Sequence, residues 1–177
     1  APTLLARKRI RMVHFVVAVI MSLLISLLAA CGSYDFKVNE RVVFSPKPLF
    51  TDYKIADEAL ADCVKQAIID NQVTSPAQLS VLSCSHAGVV SLAGLGTFTG
   101  LSQLKLSANQ IIDLAHLMPL SSLEDLYLDK NQVVDPAPLF ELPSLRILDL
   151  TGNPELRCPS ANAQLRVEET RLPRHCG

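Results

Sequence analysis

Four segments of this chain, beginning at Leu79, Leu101, Leu123 and Leu145, fall into a 22-residue register with no insertion between them. Three residues on stand Leu82, Leu104, Leu126 and Leu148, and two further Cys84, Leu106, Leu128 and Leu150. The next shared column holds Ala87, Asn109, Asn131 and Asn153, followed by Val89, Ile111 and Val133. Leu95, Leu117, Leu139 and Phe98, Leu120, Leu142 close the units. A motif of constant length builds copies of one small unit that stack, because a single unit cannot bury its own apolar face. In Leu-x-Leu the apolar side chains alternate inward along a short strand, so each unit contributes one rung to a parallel sheet, and four rungs at about 4.8 Å span about 15 Å. The expected fold class is therefore α/β: a solenoid with one parallel strand per 22-residue unit. Pro119, Pro136, Pro138 and Pro143 in the returning segments predict irregular or 3₁₀ convex turns in place of long helices.

The columns match Leu-x-x-Leu-x-Leu-x-x-Asn-x-Ile and resemble a leucine-rich repeat. Ile111-Ile112-Asp113 and Val133-Val134-Asp135 are similar to the internalin-like subclass of bacteria. The resemblance covers roughly 57 to 176, and it implies protein recognition. The Asn ladder, Asn109, Asn131 and Asn153, is expected to be buried where the chain leaves each strand, with the amides bonding backbone groups of their own and the adjoining turn. Ala87 in that column marks the first unit as degenerate, as end units are.

Ahead of the repeats the pattern differs. Arg7, Lys8, Arg9 and Arg11 precede an apolar run from Met12 to Ala30 that ends in Leu28-Ala29-Ala30-Cys31. Basic start, apolar stretch and small residues predict a signal peptide over 1–30. The last four residues resemble the lipobox of bacterial lipoproteins, which implies acylation of the Cys31 thiol. The alternative, a retained membrane helix, needs roughly 18 apolar residues; the placement of the cysteine argues against it. Acyl chains contribute ~0.8 kcal/mol per buried methylene, and more than one makes a stable anchor. Gly32, with no Asp there, resembles the sorting signal for the outer membrane, so the expected location is periplasm-facing on that membrane if the cell is Gram-negative, and the cell membrane otherwise. Residues 31–56 are expected to form a lipidated terminus and an extended strap: Pro46 and Pro48 disfavour helix and sheet interior, and Val42, Val43, Phe44, Leu49, Phe50 and Tyr53 are apolar enough for part of it to pack on the domain. A disordered spacer is the alternative.

From Asp57 the period becomes helical. Ala59, Leu60, Cys63, Val64, Ala67 and Ile68 fall at i, i+3, i+4 spacing, with Asp57 as N-cap and Glu58 in the first turn, which predicts a helix over 57–70. A second short turn is expected at Ser75-Pro76. The expected parts are thus an N-terminal cap over 57–78, repeats over 79–157 and a C-terminal cap over 158–177.

Besides Cys31 there are Cys63, Cys84, Cys158 and Cys176. Small exported domains use disulfides, and the open ends of a solenoid need closing. Of three connectivities, Cys63–Cys84 with Cys158–Cys176 keeps each bridge within one cap. Buried free thiols remain an alternative, since Cys84 occupies a Leu column. A metal site using His175 beside Cys176, or His86 near Cys84, lacks a Cys-x-x-Cys pair.

No Gly-x-Ser-x-Gly, phosphate-cradling glycine loop or His-Glu-x-x-His occurs, and His86, His116 and His175 have no fixed carboxylate partner, so no catalytic role, cofactor or metal is expected. Removing the four leading cations leaves 12 basic and 17 acidic groups from Cys31 onward, a surface that repels phosphate backbones and excludes nucleic acid as a partner. What remains is a binding surface. Positions between the inward leucines form a grid on the expected concave face: Val81, Ser83, Ser85; Gln103, Lys105, Ser107; Asp125, Tyr127, Asp129; Ile147, Asp149, Thr151. Gln103, Lys105, Asp125, Tyr127, Asp129 and Asp149 are its candidate binding residues, with Tyr127 as central anchor and an envelope protein as the expected partner beside the lipid bilayer. An alternative is a structural spacer assembled through 38–53. Val90, Ile112 and Val134 form a second, apolar column.

Overall fold

The computed structural model describes residues 36–38, 41–44, 47–159 and 167–177. The expected signal peptide and Cys31 lie outside them. Among the described residues no helix is long and apolar enough to cross a membrane. The chain divides into two compact units, 1–47 and 48–177.

In the first unit, β1 (Phe36–Val38) pairs antiparallel with β2 (Arg41–Phe44), Val38 opposite Arg41 and Phe36 opposite Phe44, with a bulge between Phe36 and Lys37. Part of the span expected as an extended strap is thus a hairpin. Phe36, Val38, Val42, Val43 and Phe44 are β-branched or aromatic, and the prolines come only after Phe44, where they interrupt no ladder.

The second unit opens with a strap that packs inward. Leu49, Phe50, Tyr53 and Ile55 lie against the core, the Phe50 amide donates to the Val73 carbonyl at 2.8 Å, and the Phe50 and Tyr53 rings meet buried Phe98 at 6.0 and 5.4 Å in edge contacts. Gly94 is required there. Its φ is +96°, and a Cβ would sit 2.0 Å from the Lys54 carbonyl oxygen.

Helix α1 (Glu58–Asp70) follows, burying Leu60, Val64 and Ile68. Its N-cap is Asp57, whose two oxygens do different jobs: Oδ1 accepts from the Leu60 amide at 2.9 Å, and Oδ2 from the Val90 and Ser91 amides at 2.8 and 3.0 Å. One carboxylate thus ends the helix and ties it to the first repeat. Partial burial raises the Asp57 pKa, but the backbone donors outweigh it and the net direction is down. The folded pKa is therefore below the unfolded value, so the stabilisation is present above about pH 3.9 and disappears as pH falls through the lowered pKa. Asp57→Ala is expected to cost about 2 kcal/mol in urea unfolding at neutral pH, the upper end for a cap, and to cost progressively less below that pH. A penalty independent of pH would contradict the assignment.

Five strands then stack in parallel: β3 (Val81–Ser83), β4 (Gln103–Lys105), β5 (Asp125–Tyr127), β6 (Ile147–Asp149) and β7 (Glu169–Arg171). Their register is strictly columnar, with Leu82, Leu104, Leu126 and Leu148 side by side. Those leucines are buried with Leu79, Leu101, Leu123 and Leu145, and the returning segments add Leu92, Leu114, Leu95, Leu117, Leu139, Phe98, Leu120 and Leu142. The returns are 3₁₀ turns at Leu95–Thr97, Ala115–Leu117 and Ala137–Glu141. This is a leucine-rich repeat solenoid, built on an N-terminal helix.

The asparagines link the units in one bonded chain. Asn109 Nδ2 donates to the carbonyls of Cys84 and Leu106, Asn131 Nδ2 to Leu106 and Leu128, and Asn153 Nδ2 to Leu128 and Leu150. Each Oδ1 accepts from the preceding unit, from Val89, Ile111 and Val133 respectively. An Asn therefore serves the unit before its own, and Ala87 has no such unit to serve. The residue ahead of each column position, His86, Ala108, Lys130 or Gly152, has left-handed backbone, which turns the chain off the strand.

The fifth rung corrects the expectation of four. From Leu145 the register continues to Val167, Thr170 and Leu172, with His175 in the Asn column, where its Nε2 lies 2.9 Å from the Leu156 carbonyl. Thr170 in a leucine column, and His175 in the asparagine column, hide this unit. Both ends carry disulfides, Cys63–Cys84 and Cys158–Cys176. The cluster Cys158, His175, Cys176 is compact enough for an ion, but its two sulfurs are bonded to each other and provide no thiolate ligand.

Candidate functional site

The solvent face of the sheet carries the side chains that the core does not use, because alternate strand residues point away from the leucines. Down one column run Val81, Gln103, Asp125, Ile147 and Glu169; down the next, Ser83, Lys105, Tyr127, Asp149 and Arg171. All six candidate binding residues lie on this face or at its lip, and columnar register makes them neighbours across rungs.

These neighbours bond one another. Gln103 Nε2 donates to Asp125 Oδ2 at 2.9 Å, the Ser107 hydroxyl donates to Asp129, and Lys105 Nζ stands 5.7 Å from the centre of the Tyr127 ring, within cation–π range. Asp149 is spent differently. It is buried, and its Oδ1 accepts from the Thr151 amide at 2.9 Å and hydroxyl at 2.7 Å, forming an Asx turn at the strand end. Its other oxygen is 3.8 Å from Arg171. Asp149 thus positions Arg171 and its own turn more than it faces solvent.

Glu169 and Arg171 belong to the face and were not among the expected residues; carrying the register 22 residues beyond Ile147 and Asp149 finds them. Arg171 bonds Glu169 at 2.6 Å. Beside the face, Arg146 sits between Glu168 at 3.1 Å and Glu124 at 3.6 Å. Its hydrogen bond and charge hold the Glu168 carboxyl below its ordinary pKa. Tyr127, Ile147, Leu148, Asp149, Glu169 and Arg171 enclose a hollow of about 110 Å³. Small-molecule sites commonly run from about 300 Å³ upward, so this one suits a single inserted side chain.

The apolar column outside the core is split. Val90 and Ile112 are 53% and 51% exposed, while Val134 is half-buried and its carbonyl accepts from the Arg157 amide at 2.8 Å.

The face belongs to a leucine-rich repeat solenoid, and in this chain its exposed strand positions differ from rung to rung over a leucine frame. No family model matches the chain, and no curated protein matches it. Among solved structures it is similar to an internalin (inlF) of Listeria monocytogenes, with 30% identity and TM-score 0.49 over 54% of this chain and 30% of that one. It is also similar to an internalin C2 of the same species, with 16% identity and TM-score 0.34 over 71% and 99% of the two chains. The functional domain of InlJ, again from Listeria monocytogenes, gives 16% identity and TM-score 0.39 over 65% and 37%. The chain thus spans about a third of the length of the inlF and InlJ structures. The repeat assignment rests on the register and the asparagine bonds of this chain itself.

Proposed function

We propose that this chain is a protein-binding module of the bacterial envelope, held at a membrane by acylated Cys31 and using the sheet face around Tyr127. The observation that carries the binding role is the placement of Tyr127: half-buried, aligned by Lys105, and at the wall of a hollow sized for one side chain. Aromatic groups in such settings anchor interfaces. Asp125, Asp129 and Glu169 outnumber Lys105 and Arg171 on the face, which favours a basic or mixed-charge partner. The anchor rests on the resemblance of Leu28-Ala29-Ala30-Cys31 to a lipobox, and an outer-membrane, periplasm-facing location rests on Gly32.

A photoreactive residue placed at 127 in the full chain, in its own membranes, is expected to form a protein adduct that the same residue at 112 does not. Tyr127→Ala combined with Asp129→Lys is expected to lower capture of that adduct's partner about tenfold, the equivalent of ~1.4 kcal/mol, with the thermal midpoint nearly unchanged. Equal adducts at both positions would remove the face from consideration. Labelling with a radioactive fatty acid, lost in Cys31→Ser, tests the anchor separately.

The hairpin β1–β2 favours a second reading, a spacer assembled through the N-terminal segment. Deleting 38–53 does not test it, because Phe50 and Tyr53 cover Phe98. Deleting 36–44 alone does: loss of assembly with retained binding at Tyr127 supports the spacer.

A further inference from the structure

The two ends of the sheet are finished differently. At β3, α1 packs alongside and Cys63–Cys84 ties the helix to the first unit. At β7, one side pairs with β6, and among the described residues no strand pairs with the other. An unpaired edge is a template for another strand, and proteins ordinarily cover or blunt it. Here Glu169, Thr170 and Arg171 are all exposed.

The direction of the backbone groups follows from the bonds already made. The Leu150 amide donates to the Arg171 carbonyl at 2.8 Å and the Glu169 amide to the Arg146 carbonyl at 3.0 Å, so residues 169 and 171 face β6. Backbone polar groups alternate sides along a strand. The amide and carbonyl of Thr170 therefore point to the free edge.

We propose that this edge pairs with the same edge of a second copy, antiparallel about a two-fold axis through Thr170, extending the five-stranded sheet to ten strands. The geometry selects this partner. Two-fold pairing sets Thr170 opposite its counterpart as a hydrogen-bonded pair exchanging two bonds, and it sets Glu169 opposite the second copy's Arg171, and Arg171 opposite its Glu169, as close non-hydrogen-bonded pairs. Cross-strand opposite charges stabilise and like charges repel. Glu169 and Arg171 already share one face, with side chains 51% and 61% exposed, so two copies bring their four charges together as a square of alternating sign. Charges that would block a strand of unrelated sequence are thus self-complementary. Glu169 and Arg171 also line the hollow beside Tyr127, so the edge pairing is read by self-association and not by capture of a partner.

The test uses full-length chains bearing two different tags, co-expressed and solubilised in mild detergent. Wild-type chains are expected to co-purify. Glu169→Arg in both chains, or Arg171→Glu in both, sets like charges opposite each other and is expected to reduce co-purification about tenfold. Pairing the Glu169→Arg chain with the Arg171→Glu chain restores opposite charges at both contacts and is expected to recover it. That recovery also shows that both variants fold. Absence of wild-type co-purification, co-purification that survives both single reversals, or failure of the mixed pair to recover would each overturn the proposal. An edge that takes an extended segment of a different protein gives the first of these results.

Discussion

Asn131→Ala is expected to lower the unfolding free energy by about 2–3 kcal/mol, although it removes only one small side chain. The amide is buried, and its loss strands the Ile111 N–H, a buried donor whose orphaning costs ~1–3 kcal/mol. The carbonyls of Leu106 and Leu128 fare better because each accepts from two asparagines, so Asn109 and Asn153 still satisfy them. That sharing predicts non-additivity. In Asn109→Ala/Asn131→Ala the Leu106 carbonyl loses both side-chain donors, and the double variant should cost more than the sum of the singles by about 1 kcal/mol. Asn131→Asp is expected to be worse than Asn131→Ala, since a carboxylate oxygen would then face two carbonyls where a donor stood. Urea denaturation of the four proteins supplies the cycle, and strict additivity would mean that the shared carbonyls do not couple the rungs.

Loss of the Cys63–Cys84 bridge should be at least as damaging. The bridge closes a separation of 21 residues, for which the chain-entropy relation gives ~3 kcal/mol, or roughly 10 °C in melting temperature for a domain of this size. Cys84 is buried in a leucine column, so Cys63→Ser with Cys84→Ser also leaves a hydroxyl in apolar surroundings. The bridge at the other end closes 18 residues, a similar entropy, but Cys158 is exposed and Cys176 only half-buried. The N-terminal pair is therefore expected to lower the midpoint further than Cys158→Ser with Cys176→Ser. The reverse order would show that the final rung, and not the first, limits the stability of the solenoid.

The leucine columns, the asparagine ladder and the α1 span with its Asp57 cap are legible in the amino-acid order, because periodicity is a one-dimensional property and burial at a fixed period follows from it. The outward grid is legible by the same alternation. Other features are not. Ala108 and Lys130 adopt left-handed backbone although nothing in their chemistry favours it, and in that column only Gly152 and, less strongly, His86 are residues suited to it. The asparagine bonds and the strand ladder on either side impose that conformation, and those partners come from other units.

Sequence alone determined a stack of 22-residue units with leucines inside, since any other register would put those leucines in water. The fifth rung keeps the same period, with Thr170 standing where a leucine would have announced it. Tertiary structure decided two further things: that Asp57 reaches across to Val90 and Ser91, and that Asp149 is spent on its own turn. Each depends on which backbone groups distant segments bring within about 3 Å. Hydrogen bonds of that kind carry no period, so they leave no trace in the order of the residues.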